Sequence, residues 1–276
     1  MANVLQVEKQ GQVIAALAEG NSIRSVERMT GIHRDTIMRL GVRVGEGCAA
    51  MMNDTMRDLP CKTLELDEIW GYVGKKQKNV RRNENPREVG DTWTWVAIDA
   101  DTKLVPAFRV GKRDSETGNA FIKDLASRLR NRVQISTDQL AAYVEAVEQG
   151  FAGQVDYAQI VKSYEATSGK YHETKYSPGE VVKVERRRIE GAPDFDKIST
   201  SYVERQNLTM RMHMRRLTRL TNAFSKKLEN FKAAVALHFG YYNFCKNHRT
   251  LRCSPAMAAG IAKDFWTVAD LVKLSA

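Results

Sequence analysis

Apolar residues recur at helical spacing three times in the first fifty positions, with stop and start signals between them. Val13, Ile14, Leu17 and Ala18 mark one face, closed by Gly20-Asn21. Ser22 is placed to cap a second helix carrying Ile23, Val26 and Met29. Gly31 supplies a tight turn, and a third helix begins at about Arg34 with Ile37, Met38 and Leu40. Residues from Val7 to about Gly47 therefore read as a small helical unit. From Thr63 the period changes to that of strands. Thr63–Val73 alternates and is rich in β formers; Thr92–Ala100, a turn at Asp101-Thr102-Lys103, and Leu104–Val110 read as a hairpin continuing the sheet. Glu116–Arg130 is helical, Val133–Ser136 a short strand, Leu140–Phe151 helical and Val155–Val161 a strand. Residues 165–199 are less regular, with a basic hairpin expected at Val181–Arg188; Ser199–Thr221 and Lys226–Phe244 are helical. This order predicts an α/β chain, a mixed sheet with helices packed on it. It divides into a helical unit over residues 1–50, a mixed-sheet domain over 62–244 with an insertion at about 165–199, and a C-terminal tail over 245–276.

Two short helices, a glycine turn and a third helix with polar, basic N-terminal residues form the helix-turn-helix pattern. In that motif the third helix enters the major groove, which places His33, Arg34, Asp35, Thr36 and Arg39 near DNA. A trihelical packing unit has the same periodicity.

Composition narrows the picture. The 276 residues are 43% apolar and 28% charged, ordinary globular values that exclude disordered and fibrous chains. The charge is not ordinary: 43 Lys and Arg against 33 Asp and Glu leave +10. Such a surplus suits a polyanion, either nucleic acid or an anionic membrane surface. Its location favours nucleic acid, because Glu204 to Arg252 holds seven Arg, four Lys and only two acids, while the rest of the chain is nearly neutral. No window of about 18 apolar residues predicts a membrane span, and Met1–Gly20 lacks the apolar block of a signal peptide. Cys48, Cys61, Cys245 and Cys253 lie too far apart for a zinc or disulfide framework. A cytoplasmic location follows as the expectation, at the nucleoid when bound to DNA.

Three acids stand out by setting. Asp67 lies within the first strand, Asp138 sits just past the Gln134–Thr137 strand, and Glu204 opens a basic helix. At these residues the chain resembles the RNase H-like "DDE" transposases and integrases, most of all the transposases of the bacterial insertion sequence one family. The resemblance runs from about Lys62 to Ile261. It is carried by L-x-x-D-E-x-W at Leu64–Trp70, W-x-W-V-A-I-D at Trp93–Asp99, T-D-x-x-x-x-Y at Thr137–Tyr143, Y-V-E-R-x-N at Tyr202–Asn207 and the segment Tyr242–Ala256. It implies an RNase H-like catalytic domain in which Asp67, Asp138 and Glu204 are the catalytic and metal-holding acids. The implied cofactor is Mg²⁺ (or Mn²⁺), two ions; no covalent protein–DNA intermediate is needed. The implied activity is cleavage at the terminal repeats of an insertion sequence and joining of the 3′-hydroxyl to target DNA. Double-stranded DNA is then the partner, no membrane is, and synapsis of two ends asks for a homodimer or larger.

Helix geometry adds that Asn207 and Arg211, about 300° and about 700° round from Glu204, share its face. Asn207, Arg211, Arg215, His248 and Arg249 join the residues expected to contact DNA, His248 competing with a helix-capping role. Glu65 and Glu68 are expected in salt bridges or solvent, Asp99 in a turn, Trp93 and Trp95 in sheet packing. The interval from Asp138 to Glu204 exceeds that of compact family members. Residues 165–199 must then be an insertion, or one of Glu173, Glu180 and Glu185 is the third acid, although none of these begins a basic helix. The cysteine-ligated finger common at the start of such proteins has no counterpart here. Two other classes stay open: a non-catalytic DNA-binding regulator derived from a transposase, and a hydrolytic nuclease of the same fold.

Overall fold

The computed structural model describes residues 5–164, 181–218 and 222–275. The first three helices, α1 (Val7–Ala18), α2 (Ile23–Thr30) and α3 (Arg34–Thr55), fall where the periodicity places them. Ser22 caps α2 by accepting the Ser25 N–H at 3.1 Å, and Gly31 ends it in the left-handed conformation at φ 70°. The third helix is longer than the sequence unit, since Cys48, Met51 and Met52 extend its apolar face beyond Gly47 into the core.

One mixed sheet follows, ordered β3-β2-β1-β4-β5-β6. Its strands are β1 (Thr63–Val73), β2 (Gly90–Asp99), β3 (Ala107–Gly111), β4 (Val133–Thr137), β5 (Val155–Tyr164) and β6 (Val181–Glu190). The strand β3 starts later than its apolar run. Leu104 and Val105 are buried but lie outside the strand, and the side-chain amide of Asn243 takes the place of a neighbouring strand at Val105: it accepts the Val105 N–H at 3.0 Å and donates to the Val105 carbonyl at 3.1 Å. The expected hairpin at Val181–Arg188 is the strand β6, antiparallel to β5. Glu173 and Glu180 lie outside the described residues.

Helices cover both faces. On one, α4 (Ser115–Ala126) and α5 (Ala141–Phe151) surround Trp95, whose ring lies 5.2 Å from Tyr143 and 6.1 Å from Phe121. Trp95 thus packs the sheet as expected, and Trp93 lies against the same core. On the other face are α6 (Ser201–His213) and α7 (Leu228–Gly240), with Phe239 against Phe108 at 4.7 Å. The helix α6 stops at His213 rather than running on to Thr221. Its end abuts the turn at Gly20, where a Cβ would lie 2.8 Å from the Met212 carbonyl oxygen, and Met214 becomes extended. A π-helical turn, Tyr241–Cys245, extends α7.

The tail is folded too. Two short helices, α8 (Pro255–Ala258) and α9 (Val268–Lys273), bring Leu271 and Val272 into the core, and α9 packs on α1 and α3. One hydrophobic cluster therefore runs from Val13 and Ile37 through Cys48, Leu66 and Phe239 to Leu271. Among the described residues no helix is long and apolar enough to cross a membrane.

Candidate metal centre

The site begins with a mismatch of strand lengths. The strand β1 pairs with β2 along its whole length, from Leu64↔Asp99 to Val73↔Gly90. Its parallel pairing with β4 covers only Thr63↔Gln134 to Glu65↔Ser136. Beyond Glu65, β1 runs on while the chain after β4 leaves the sheet, opening a crevice at the carboxyl end of β4. Such crevices are where open α/β sheets bind ligands. Asp67 lines it from β1. Asp138 lines it from the turn after β4, where its Oδ1 accepts the Leu140 N–H at 3.0 Å just ahead of α5.

Asp67, Glu68 and Asp138 each place a carboxylate oxygen within 4.8 Å of the others. Glu68 is therefore part of the acidic cluster and not exposed: its side chain is only 1% accessible. Its carboxylate accepts from Arg113 Nε at 2.6 Å, the salt bridge expected of it, and from the Tyr143 hydroxyl at 3.0 Å. Arg113 also stands 3.7 Å from Asp138. Burial raises the Asp67 carboxyl to about 7, and the neighbouring charges of Glu68, Asp138 and Glu204 push the same way. Burial also raises Glu68, with Asp138 adding to it and Arg113 opposing.

Glu204 stands apart from this trio. It projects from the first turn of α6, where its Oε1 accepts from Thr200 Oγ1 at 2.7 Å and from the Lys162 ammonium. Asn207, one turn on, does reach the cluster: it is 8% exposed and donates Nδ2 to Asp67 Oδ2 at 2.8 Å, while its buried Oδ1 has no partner among the described residues.

Glu65 was expected in a salt bridge or in solvent; it is buried, and among the described residues it has no salt-bridge partner. It is 1% exposed and accepts the backbone N–H groups of Tyr202 at 2.6 Å and Val203 at 3.1 Å, the first turn of α6. Alternation along β1 puts Glu65 on the face of Asp67, so this acid at a helix N-terminus fixes α6, and with it Asn207, over the crevice. Glu65→Ala is expected to cost about 2–3 kcal/mol, the worth of hydrogen bonds to a charged group plus the orphaned N–H groups. Glu65→Gln, which still accepts, should cost much less. Urea unfolding midpoints test the difference, and equal losses in the two variants would contradict the anchoring role.

The other candidate residues lie elsewhere. Asp99 shapes its turn, accepting the Thr102 N–H at 3.0 Å and hydroxyl at 2.6 Å. His248 caps no helix among the described residues; its Nδ1 faces Thr250 Oγ1 at 3.1 Å, and burial, with Lys103 and Lys246, lowers its pKa. His33 N-caps α3 by accepting the Asp35 N–H. Arg34, Arg39, Arg215 and Arg249 are exposed, and Thr36 and Arg211 are partly so. Arg34 and Arg215 line a groove of about 740 Å³ with Arg24, Arg216 and Lys226, separate from the acids. Arg113, Lys162 and Thr200 carry no signal that sequence reasoning could have used; Tyr143 had one, as the last residue of T-D-x-x-x-x-Y.

The donor set is hard oxygen, held close enough to repel, and suits a divalent cation such as Mg²⁺ that relieves the repulsion.

No protein-family model matches the sequence, and no curated protein does. Among solved structures, the chain is similar to the piggyBac transposase in a synaptic complex with hairpin DNA, at 11% identity and TM-score 0.42 over 98% of this chain and 69% of that one. It is similar to the Mos1 transposase paired-end complex with left transposon end at 12% identity and TM-score 0.25, covering 57% of this chain and 60% of that one. The Mos1 strand transfer complex matches at 12% identity and TM-score 0.24, covering 86% and 78%. The chain thus spans 60% of the length of the paired-end transposase. Scores this low leave the functional reading to the chain's own geometry.

Proposed function

We propose that the chain is a DNA transposase of the RNase H-like DDE class, closest to the insertion sequence one family. It binds the terminal repeats of its element, cuts there and transfers the 3′-hydroxyl end into target DNA. The observation that carries the reading is the convergence of Asp67, Glu68 and Asp138 where β1 outruns β4. Asp67 and Asp138 are acids that the motifs single out, although they lie far apart in sequence.

In this reading Asp67 and Asp138 hold the cation, with Glu68 beside them and Glu204 completing the set from α6. When bound, two Mg²⁺ or Mn²⁺ ions supply activation of water or a 3′-hydroxyl and stabilise the leaving oxygen at phosphorus. The protein's own part is orientation and charge. Asn207 fixes the Asp67 carboxylate, Arg113 and Tyr143 hold Glu68, and Glu65 keeps α6 in place. Lys162 holds Glu204 by an ion pair that a phosphate oxygen would compete for. The α2–Gly31–α3 unit, with His33, Arg34, Thr36 and Arg39, is the reader of the element ends. Arg211, Arg215 and Arg249 give the basic contacts and His248 an uncharged hydrogen-bonding one, in an assembly of two or more copies. Asn207, assigned to DNA contact on the sequence, serves here mainly by its bond to Asp67.

The test is incubation of the protein with DNA carrying the ends of its element and Mg²⁺. End cleavage and strand transfer are expected from the wild type and not from Asp138→Asn, which should still bind. Transfer that survives Asp138→Asn sinks the catalytic assignment. Binding without cleavage by the wild type favours the regulator.

A further inference from the structure

The β5–β6 ribbon distributes its charge unevenly between its two faces. Residues directly opposed across an antiparallel pair share a face, so Ala158, Ile160 and Lys162 stand with Arg188, Arg186 and Val184 respectively. This is the face of α6: Ala158 and Ile160 are buried with Ile198, just ahead of that helix, and Lys162 pairs with Glu204. On the opposite face Lys183 and Arg187 share the single carboxylate of Glu185, at 3.6 and 2.6 Å, which leaves that face with half the surplus of the other. Arg186 and Arg188 are exposed and have no acidic partner among the described residues.

Charged side chains on an edge strand can simply discourage strand addition. That duty is met by ion-paired residues and does not select a face. Two uncompensated guanidinium groups on the one face that also carries Glu204, beside exposed Val182 and Val184, are arranged for a polyanion lying across the α6 side of the sheet.

We propose that Arg186 and Arg188 are a phosphate rail of the inserted strand, gripping the backbone of double-stranded DNA that lies along the crevice; this rests on the transposase reading. Contact by two phosphates contributes about 1.8 to the slope of log affinity against log salt. The full chain is titrated by fluorescence anisotropy with a labelled duplex of random sequence, between low and physiological salt. The R186A/R188A variant is expected to bind more weakly with a slope shallower by about 1.8, R186K/R188K to keep the wild-type slope, and K183A/R187A to change it little. Thermal melts identify any variant that has lost its fold, and the single variants R186A and R188A, each expected to make the slope shallower by about 0.9, then decide. An unchanged slope in R186A/R188A, or an equal fall in K183A/R187A, overturns the rail while DNA binding by the wild type keeps the transposase reading intact. A wild type that does not bind duplex at all overturns both.

Discussion

Asp67→Asn is expected to abolish metal-dependent strand cleavage and yet, with divalent ions removed, to leave the protein harder to unfold at pH 8. Both effects come from the same crowding. Buried beside Glu68 and Asp138, with the more distant charge of Glu204 pushing the same way, the Asp67 carboxyl is raised from 3.8 to about 7. Through that interval the unfolded chain has released a proton that the folded chain keeps, so folding stability falls as pH climbs from about 4 to about 7. Asparagine carries no charge to crowd. In calorimetry with a chelator, the variant's Tm should exceed that of the wild type at pH 8, by about 2–4 °C for each kcal/mol relieved. The two curves should converge below about pH 3, where Asp67 is protonated in both states. A gap that ignores pH contradicts this account. Added Mg²⁺ should raise the wild-type Tm and not the variant's. Cleavage should fall by more than about 100-fold, since loss of an outer partner of a metal ligand alone costs about 10–100-fold.

The second large effect lies far from the chemistry. A Cβ added at Gly45 would sit 2.1 Å from the Ala233 carbonyl oxygen and 2.7 Å from its carbon, both main-chain atoms that cannot swing aside. The helices α3 and α7 must then part along a buried contact. Gly45→Ala is expected to lose about 3 kcal/mol or more, at or beyond the upper end for overpacked cores. Gly11, also in a helix, has nothing within 4 Å of the same added atom. There alanine should gain up to about 1 kcal/mol from helix propensity. Denaturant midpoints of the pair separate the two mechanisms, and similar shifts would refute the close-approach argument.

What the sequence made legible was whatever local chemistry controls. The alternation of Thr63–Val73 gave β1 its limits, and Ser22 and Gly31 did the same for α2, because a strand face and a helix cap are read from neighbours. Asp67 and Asp138 were legible through motif and position. Hidden were the choices that depend on what packs opposite. Glu65 and Glu68 flank Asp67 and look alike along the chain, yet one anchors a helix across the sheet and the other joins the acids. Only the arrival of α6 on one face, and of Arg113 and Tyr143 on the other, tells them apart. The end of α6 was hidden for a similar reason, being set by the Gly20 turn and not by any stop signal of its own. The late start of β3 depends on Asn243, which is remote in sequence.

The meeting of α3 with α7 has a consequence for the order of events during synthesis. The apolar face of α3, with Val44, Cys48, Met51 and Met52, is made early, but the helix that covers it leaves the ribosome only after the whole sheet has been made. Contacts of such sequence separation form slowly, and uncovered apolar surface invites aggregation while it waits. The nascent chain is thus expected to spend most of its synthesis as a chaperone client, becoming independent once Phe239 and Leu271 close the core.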